Sequence, residues 1–123
     1  MFRIPSKIEC AWLSGFWEGE GSIHAGKKGI NISISQVNKQ PLDFCASLVN
    51  CGTVNGPYTR VAKGKPLHMF SISNFEEVQM FVACIWTWLS DKRRIQISNK
   101  LNKFKQGCLL RVEKAKTCKR GHE

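Results

Sequence analysis

The chain has 123 residues, 42% of them hydrophobic, which is enough for one globular domain with its own core and excludes a disordered tail. Its formal net charge of +10 is uneven, because residues 1–91 hold eight Lys and Arg against seven acids and residues 92–123 hold eleven against two. Such an excess of basic residues favours a nucleic acid or an anionic membrane surface as partner. No apolar run approaches the ~20 residues of a membrane-spanning helix, and the first residues lack the apolar core of a signal peptide. We therefore expect an intracellular protein whose six cysteines are mostly reduced.

Capping signals and hydrophobic periodicity predict an α+β protein with elements in the order α-β-β-α-β-β-α-α. Capping boxes formed by Ser6 with Glu9 and by Asn74 with Glu77 open two of the helices. Isoleucines alternate with polar residues over 30–35, which predicts a strand with one buried face. The predicted elements are a helix over about 7–18, a hairpin over 20–37, a helix over 40–50 ended by Gly52, a hairpin over about 53–73 with its turn in 62–66, a helix from 74 through Trp88, and a basic helix over about 91–105.

One face of the predicted first helix carries only small residues. Ala11, Gly15 and Gly19 fall four residues apart, so no side chain on this stripe is larger than a methyl group. Such a face lets another helix come closer than the usual interaxial distance of about 8–10 Å.

Residues 13–21, Leu-Ser-Gly-Phe-Trp-Glu-Gly-Glu-Gly, end the first helix with two carboxylates. Glu18 and Glu20 stand at the C-terminus of the helix, where the macrodipole disfavours negative charge. Gly19 and Gly21 are expected to let the chain turn sharply there. Two acids in this unfavourable place, in so basic a protein, point to a bound cation.

This nonapeptide resembles the LAGLIDADG signature of homing endonucleases, with apolar, small and acidic residues in matching places. Later segments, in the order and spacing of that family, are also similar to it. They are Ser22-Ile23 at the start of a strand, Ile32-Ser33-Ile34-Ser35-Gln36 as a strand that ends in Gln, Gly52 after a helix, and Trp88-Leu89-Ser90-Asp91-Lys92 as the segment that bears an active-site lysine. The resemblance covers about residues 6–105 and includes one signature. It therefore implies the single-motif type, whose members work as homodimers.

The resemblance implies an αββαββα core whose curved antiparallel sheet forms a DNA-binding saddle. Residues 1–107 would be the LAGLIDADG DNA endonuclease domain and residues 108–123 a basic C-terminal tail. Two copies would pair their signature helices at a two-fold axis through Ala11, Gly15 and Gly19. The net charge of +9 after residue 91 is expected to act mainly through phosphates.

The resemblance also implies the catalytic residues. The Glu20 carboxylate, with the backbone carbonyl of Gly19, would bind Mg²⁺, which suits oxygen ligands. Gln36 and Lys92 would order water and steady phosphate charge near the metal, and Glu18 would have a structural role. The expected chemistry is metal-assisted hydrolysis of phosphodiester bonds, without a small-molecule cofactor.

The polar face of the two hairpins is the expected DNA-reading surface, because a two-stranded ribbon fits a major groove. Between residues 24 and 73 there are six Lys and Arg and one acid, which is consistent with phosphate contacts. The candidates are Ser22, His24, Lys28, Asn31 and Ser33 in the first hairpin and Tyr58, Arg60, Lys63, Lys65 and His68 in the second.

The C-terminal tail leaves two interpretations open. Cys118 and His122, with Cys108 as a third ligand, make an incomplete zinc set, since structural zinc normally has four ligands. The favoured interpretation is a basic arm that touches DNA, or a truncated extension.

Together these features predict a homodimeric, site-specific, double-strand DNA homing endonuclease of the intron-encoded kind, which uses Mg²⁺ and cuts a long pseudo-palindromic target. The alternative is a non-cutting relative that binds nucleic acid, such as an RNA maturase or a transcription regulator. A third class, a membrane-surface protein with a basic C-terminus, gives no reason for Glu18 and Glu20. We therefore expect double-stranded DNA as partner and no membrane.

Overall fold

A computed structural model describes residues 2–26, 29–58 and 65–105. The predicted α+β order of elements is confirmed over these residues. The elements are α1 (Lys7–Glu20), β1 (Gly21–Gly26), β2 (Gly29–Gln36), α2 (Gln40–Val49), β3 (Thr53–Tyr58), β4 (Leu67–Ile72), α3 (Phe75–Ile85), a 3₁₀ turn (Trp86–Trp88) and α4 (91–105).

The start of α1 is the predicted capping box. The Glu9 amide donates to Ser6 Oγ at 3.2 Å, and the Ser6 amide donates to Glu9 Oε1 at 2.9 Å. The end of α1 lies two residues beyond the predicted one, because the Gly21 amide still donates to the carbonyl of Trp17. Glu20 is therefore the last helical residue.

Two other helix ends also differ from the prediction. The left-handed residue after α2 is Asn50, with φ 52°, and its amide donates to the Ala46 carbonyl at 2.8 Å, so α2 ends before Gly52. The helix that follows Asn74 changes to a 3₁₀ turn at Trp86 instead of continuing as an α-helix. A tighter last turn of this kind is common where a helix ends.

At the start of α3, Asn74 Oδ1 accepts from the Glu77 amide at 3.1 Å, which is one half of the predicted capping box. The Glu77 carboxylate lies near the Cys51 thiol. Burial, followed by the charge of Glu77, raises the pKa of Cys51 to about 11.

The four strands form one antiparallel sheet in the order β1-β2-β4-β3. Ile34 of β2 pairs with Phe70 of β4, and Ile32 pairs with Ile72. These four side chains are almost fully buried and meet the helices on one face of the sheet. Successive side chains of a strand alternate between faces, so Ser33 and its partner Ser71 lie on the other face.

The core therefore lies between the helices and one face of the sheet, and the second face, called the open face below, is mostly polar. None of the described helices is long and apolar enough to cross a membrane.

Candidate active site and nucleic-acid interface

The small-residue stripe of α1 is uncovered in the monomer. Gly15 and Gly19 are exposed, and a Cβ atom added to either would meet no atom within 4 Å. Ile8 and Trp12 lie on the same side of the helix, at helical spacing, and are 83% and 41% exposed. Large apolar side chains left in solvent beside two bare glycines make this a surface suited to a partner helix.

The opposite side of α1 is packed in the core. Leu13 and Trp17 are fully buried, and Ser14 is buried beside them. Ser14 Oγ donates to the carbonyl of Ile85 at 3.0 Å, so its hydroxyl is satisfied and joins α1 to the end of α3.

Gly21 is required for a different reason from the predicted sharp turn. Its φ of −85° is an ordinary extended value that any residue adopts. A Cβ atom at this position would instead overlap the indole ring of Trp17. Gly19 is helical, so neither glycine has a left-handed conformation, and the expectation of a glycine turn here is wrong.

Glu18 reaches from the end of α1 to the start of α4. Its Oε1 accepts from the Ser90 amide at 2.7 Å, and its Oε2 accepts from Ser90 Oγ at 2.9 Å. Ser90 is the N-cap of α4, since its Oγ also accepts from the Arg93 amide at 3.3 Å. The Glu18 charge therefore lies at a helix N-terminus, where the dipole stabilises it.

Arg93 makes the return contact from α4 to the end of α1. Its Nη2 donates to the carbonyls of Gly21 at 2.8 Å and Glu18 at 3.0 Å, and its Nε donates to the Glu18 carbonyl at 3.1 Å. The guanidinium lies over the Trp17 ring, 4.5 Å from its centroid. Since α1 has no basic residue in its own last turn, Arg93 supplies the positive charge that its C-terminus favours.

Glu20 has no such contact. Its side chain is exposed and makes no hydrogen bond or ion pair within the part of the chain that the structure describes. No group of three or more His, Cys, Asp or Glu among the described residues is placed to hold a metal. One chain thus offers the Glu20 carboxylate and the neighbouring Gly19 carbonyl, which are oxygen ligands of the kind that Mg²⁺ prefers.

The two other predicted catalytic residues lie toward the same end of the molecule. Gly21 pairs with Ile34, so Gln36 lies two residues further along β2, on the side where α1 ends. Lys92 is exposed and lines an open hollow of about 580 Å³ with Glu18, Arg93 and Gln96.

Two of the three residues in the basic cluster Lys92-Arg93-Arg94 use their side chains within the protein. Arg94 Nε donates to the Trp86 carbonyl at 3.0 Å and its Nη2 to the Thr87 carbonyl at 2.8 Å. Arg93 and Arg94 each satisfy carbonyls where an earlier helix ends.

The first hairpin presents four of its candidates on the open face. Ser22 and His24 are exposed and pair with Ser33 and Asn31, respectively. Asn31 is half-buried, and Ser33 is 8% exposed with its Oγ 3.1 Å from that of Ser22. Ser22, His24 and Asn31 are thus the accessible members of this set.

In the second hairpin, Tyr58 and Lys65 are exposed. His68 lies two residues before the buried Phe70 on β4, so its side chain points to the helix side of the sheet. There its Nδ1 lies 3.2 Å from the Val37 carbonyl oxygen. This placement differs from the predicted polar face. The candidates Lys28, Arg60 and Lys63, and Cys108, Cys118 and His122 of the tail, lie outside the described residues.

Sequence reasoning missed residues of two kinds. The open face also carries Ser35, Thr53, Asn55, Met69 and Ser71, which the pairing register places beside Ser33. Because successive side chains of a strand point to opposite faces, counting in steps of two along each strand from a buried residue such as Phe70 would have indicated them. Ser90 and Arg93 were missed because their partners are 72 to 76 residues away. The available signal was Ser90 itself. It is an N-cap residue before a basic helix whose third residue is not an acid, so a carboxylate from elsewhere was needed to complete the capping box.

Solved structures share this fold. They include the homing endonuclease I-CvuI in complex with the I-CreI target (TM-score 0.59, 21% identity, 72% of this chain and 60% of that chain) and the group I intron-encoded homing endonuclease I-CeuI complexed with DNA (0.60, 12%, 84% and 56%). The homing endonuclease I-TnaI matches with a TM-score of 0.54 and 19% identity, over 85% of this chain and 83% of that one. The chain spans about three fifths of the length of I-CvuI.

No curated protein matches the chain in sequence. A family model, the LAGLIDADG-like domain, matches residues 7–85, which include the signature helix, the sheet and α3. This match spans more than half of the chain and agrees with the fold of the solved structures. The chain therefore belongs to the family of LAGLIDADG-like domains, and its one signature fits the single-motif type.

Proposed function

We propose that the protein is a homodimeric, site-specific DNA endonuclease that hydrolyses phosphodiester bonds with a divalent cation, Mg²⁺. The observation that carries this proposal is the different state of two acids in one helical turn. Glu18 is bound to Ser90, whereas Glu20 is exposed and uncommitted at the helix end. A carboxylate without a partner at the C-terminus of a helix is destabilised by the helix dipole, and a bound cation would remove this destabilisation.

The residues around Glu20 have distinct roles in this proposal. The Glu20 carboxylate and the Gly19 carbonyl hold the cation. Waters and phosphate oxygens fill the other positions of its octahedral coordination, since Mg²⁺ usually keeps several waters. When bound, the cation supplies Lewis-acid charge for hydrolysis at the phosphate. Lys92, exposed in the hollow that Glu18 also lines, contributes positive charge near the phosphate. Gln36 orders water.

Two features support a dimer: one chain has a single uncommitted carboxylate at this helix end, and one side of α1 is exposed and bare. One copy supplies one uncommitted carboxylate at this helix end, and cutting two strands requires two such sites. The exposed stripe of Gly15 and Gly19, flanked by Ile8 and Trp12, allows the α1 helices of two copies to pack closely. Such pairing brings both Glu20 side chains to the two-fold axis.

The open face of the sheet is the proposed DNA-binding surface. Ser22, His24 and Asn31 project from it as hydrogen-bonding groups, which can read base edges in a major groove. I-CvuI and I-CeuI, which share the fold, were each solved in complex with DNA, and I-CvuI was solved in the presence of Mg. These relatives support DNA as the partner and a divalent cation as the cofactor.

Glu20→Gln tests the proposed chemistry. Cleavable sites are first selected from a random duplex library with the wild-type protein in Mg²⁺, and bound sites are selected in Ca²⁺. Because the variant keeps the shape of the side chain and loses its charge, we expect it to bind the selected duplex and not to cut it. Glu76→Gln is the control, since Glu76 is an exposed acid on α3 and its loss changes the net charge equally.

Cleavage by Glu20→Gln at the wild-type rate would remove Glu20 from the metal site. Selection of bound sites without any cleavage by the wild type would favour a non-cutting nucleic-acid-binding protein.

Gly15→Leu tests the dimer. A leucine on the bare stripe would overpack a close helix pair and has room in the monomer. We expect light scattering to show two wild-type chains per duplex and a loss of this complex in the variant. Gln79→Leu, at another exposed helical position on α3, is the control. A wild-type complex of one chain per duplex would contradict the dimer.

A further inference from the structure

The helices α1 and α4 exchange capping residues. In an ordinary capping box the third residue of a helix returns its own carboxylate to the N-cap amide. The third residue of α4 is Arg93, and the carboxylate that accepts the Ser90 amide comes from Glu18 of α1. Arg93 in turn donates to carbonyls at the end of α1. Each helix therefore receives the charge that its dipole favours.

The contacts of Arg93 enclose the two proposed metal ligands. The guanidinium binds the carbonyl of Glu18, immediately before Gly19, and the carbonyl of Gly21, immediately after Glu20. The last turn of a helix normally frays, because its carbonyls lack intrahelical partners. Here the backbone is held on both sides of residues 19–20 by one planar group with several fixed donors.

Arg93 is not itself placed to bind phosphate. Its side chain is only 17% exposed, its Nε lies 3.8 Å from Glu18 Oε2, and its Nη1 donates to Gln96 Oε1 at 2.8 Å. The charge and the donors of the guanidinium are thus used within the protein. Glu18 is already bound to Ser90 and lies beside Arg93, so Glu20 is the acid of this pair that can bind a cation.

We propose that Arg93 is a positioning residue for the cation site, which holds the Gly19 carbonyl and the Glu20 carboxylate in the geometry that binds a divalent ion. This inference rests on the proposed function, because it assumes that a cation binds at Glu20. Groups that orient metal ligands typically change metal affinity about 10–100-fold when they are removed.

Arg94 provides a matched control. It is the next residue of α4, donates to two carbonyls where the preceding 3₁₀ turn ends, and lies over the Trp86 ring. Its substitution removes the same charge and the same kind of cap. Its contacts are to Trp86 and Thr87 and not to α1, so only Arg93 acts on the backbone beside Glu20.

The experiment measures binding of Mn²⁺ to the full chain by paramagnetic broadening of the backbone amide signals of residues 19–22. We compare the wild type, Arg93→Met, Arg93→Lys, Arg94→Met and Glu20→Gln. Arg93→Met is expected to need about tenfold more Mn²⁺ for half-maximal broadening. Arg94→Met is expected to match the wild type even though its thermal midpoint falls by a similar amount. Arg93→Lys keeps the charge without the planar fork and is expected to bind Mn²⁺ as weakly as Arg93→Met.

Wild-type affinity for Mn²⁺ in folded Arg93→Lys or Arg93→Met, or equal weakening in Arg93→Met and Arg94→Met, would overturn the positioning role alone. Arg93→Lys decides the question if Arg93→Met does not fold. Broadening of these amides that persists in Glu20→Gln, or its absence in the wild type, would overturn both this inference and the proposed metal site.

Discussion

The substitution Gly21→Ala distinguishes a packing requirement from a backbone requirement at the end of the signature. The φ of −85° and ψ of 162° at Gly21 suit alanine. A Cβ atom there would nevertheless overlap the ring of Trp17, which is fully buried and lies under the Arg93 guanidinium. We expect Gly21→Ala to destabilise the protein, although the backbone conformation permits it.

Two effects of opposite sign determine the size of this change. Alanine at a compatible position stabilises a protein by about 0.4–1 kcal/mol, because it restricts the unfolded chain. Forcing a methyl group into a packed site costs about 1–3 kcal/mol. The net expected loss is therefore roughly 1–2 kcal/mol in the free energy of unfolding, or a fall of roughly 3–8 °C in Tm for a domain of this size.

A double-mutant cycle with Trp17→Leu, followed by urea denaturation at one fixed protein concentration, isolates the overlap. Leucine at position 17 removes the ring, so only the backbone effect should remain, and Gly21→Ala should then stabilise the protein by about 0.4–1 kcal/mol. The expected coupling energy is about 1–3 kcal/mol. Gly26→Ala is the matched control in β1, since its Cβ atom would meet His24 Nε2 at an ordinary 3.5 Å.

An equal loss of stability from Gly21→Ala in both backgrounds would refute this reasoning. A loss in Gly26→Ala as large as in Gly21→Ala would also refute it, because it would indicate a general intolerance of side chains in β1.

Three further predictions concern the core and the tail. Ser14→Ala should cost about 1–2 kcal/mol in urea denaturation, since it removes the donor to the buried Ile85 carbonyl; an unchanged midpoint would contradict it. Burial raises the pKa of Cys45 to about 12, so the unfolded thiol, with its ordinary value of 9.0, releases its proton first and stability should fall as pH rises from about 9 to 12. The slope for this one thiol is at most ~1.4 kcal/mol per pH unit, and Cys45→Val should remove it; equal slopes in both proteins would count against the assignment. Removing residues 107–123, which hold five Lys and Arg, should weaken binding to every duplex and lower the log–log salt slope by about 0.9 per lost phosphate contact. The cut position should stay the same, and a shifted position would show that the tail takes part in reading the target.

Local chemistry determined the parts of the fold that depend on neighbours in the chain. The Ser6–Glu9 box forms because the two residues are one helical turn apart, and the isoleucines of β2 are buried because alternation alone assigns them to one face. The four-residue spacing of a helix identified the stripe of small residues on α1, of which Gly15 and Gly19 are bare. These patterns need no knowledge of where other elements lie.

Helix ends and side-chain partners depended on tertiary structure. The two acids of the signature look equivalent in sequence, yet Glu18 is bound to Ser90 and Glu20 is free of such contacts among the described residues. Arg93 and Arg94 look like ligands for phosphate, yet both cap helix ends. A charged group takes whichever oppositely charged or hydrogen-bonding group the packed helices bring within about 3 Å. The sequence does not show which groups lie this close in space when, as for Glu18 and Ser90, they are 72 residues apart in the chain.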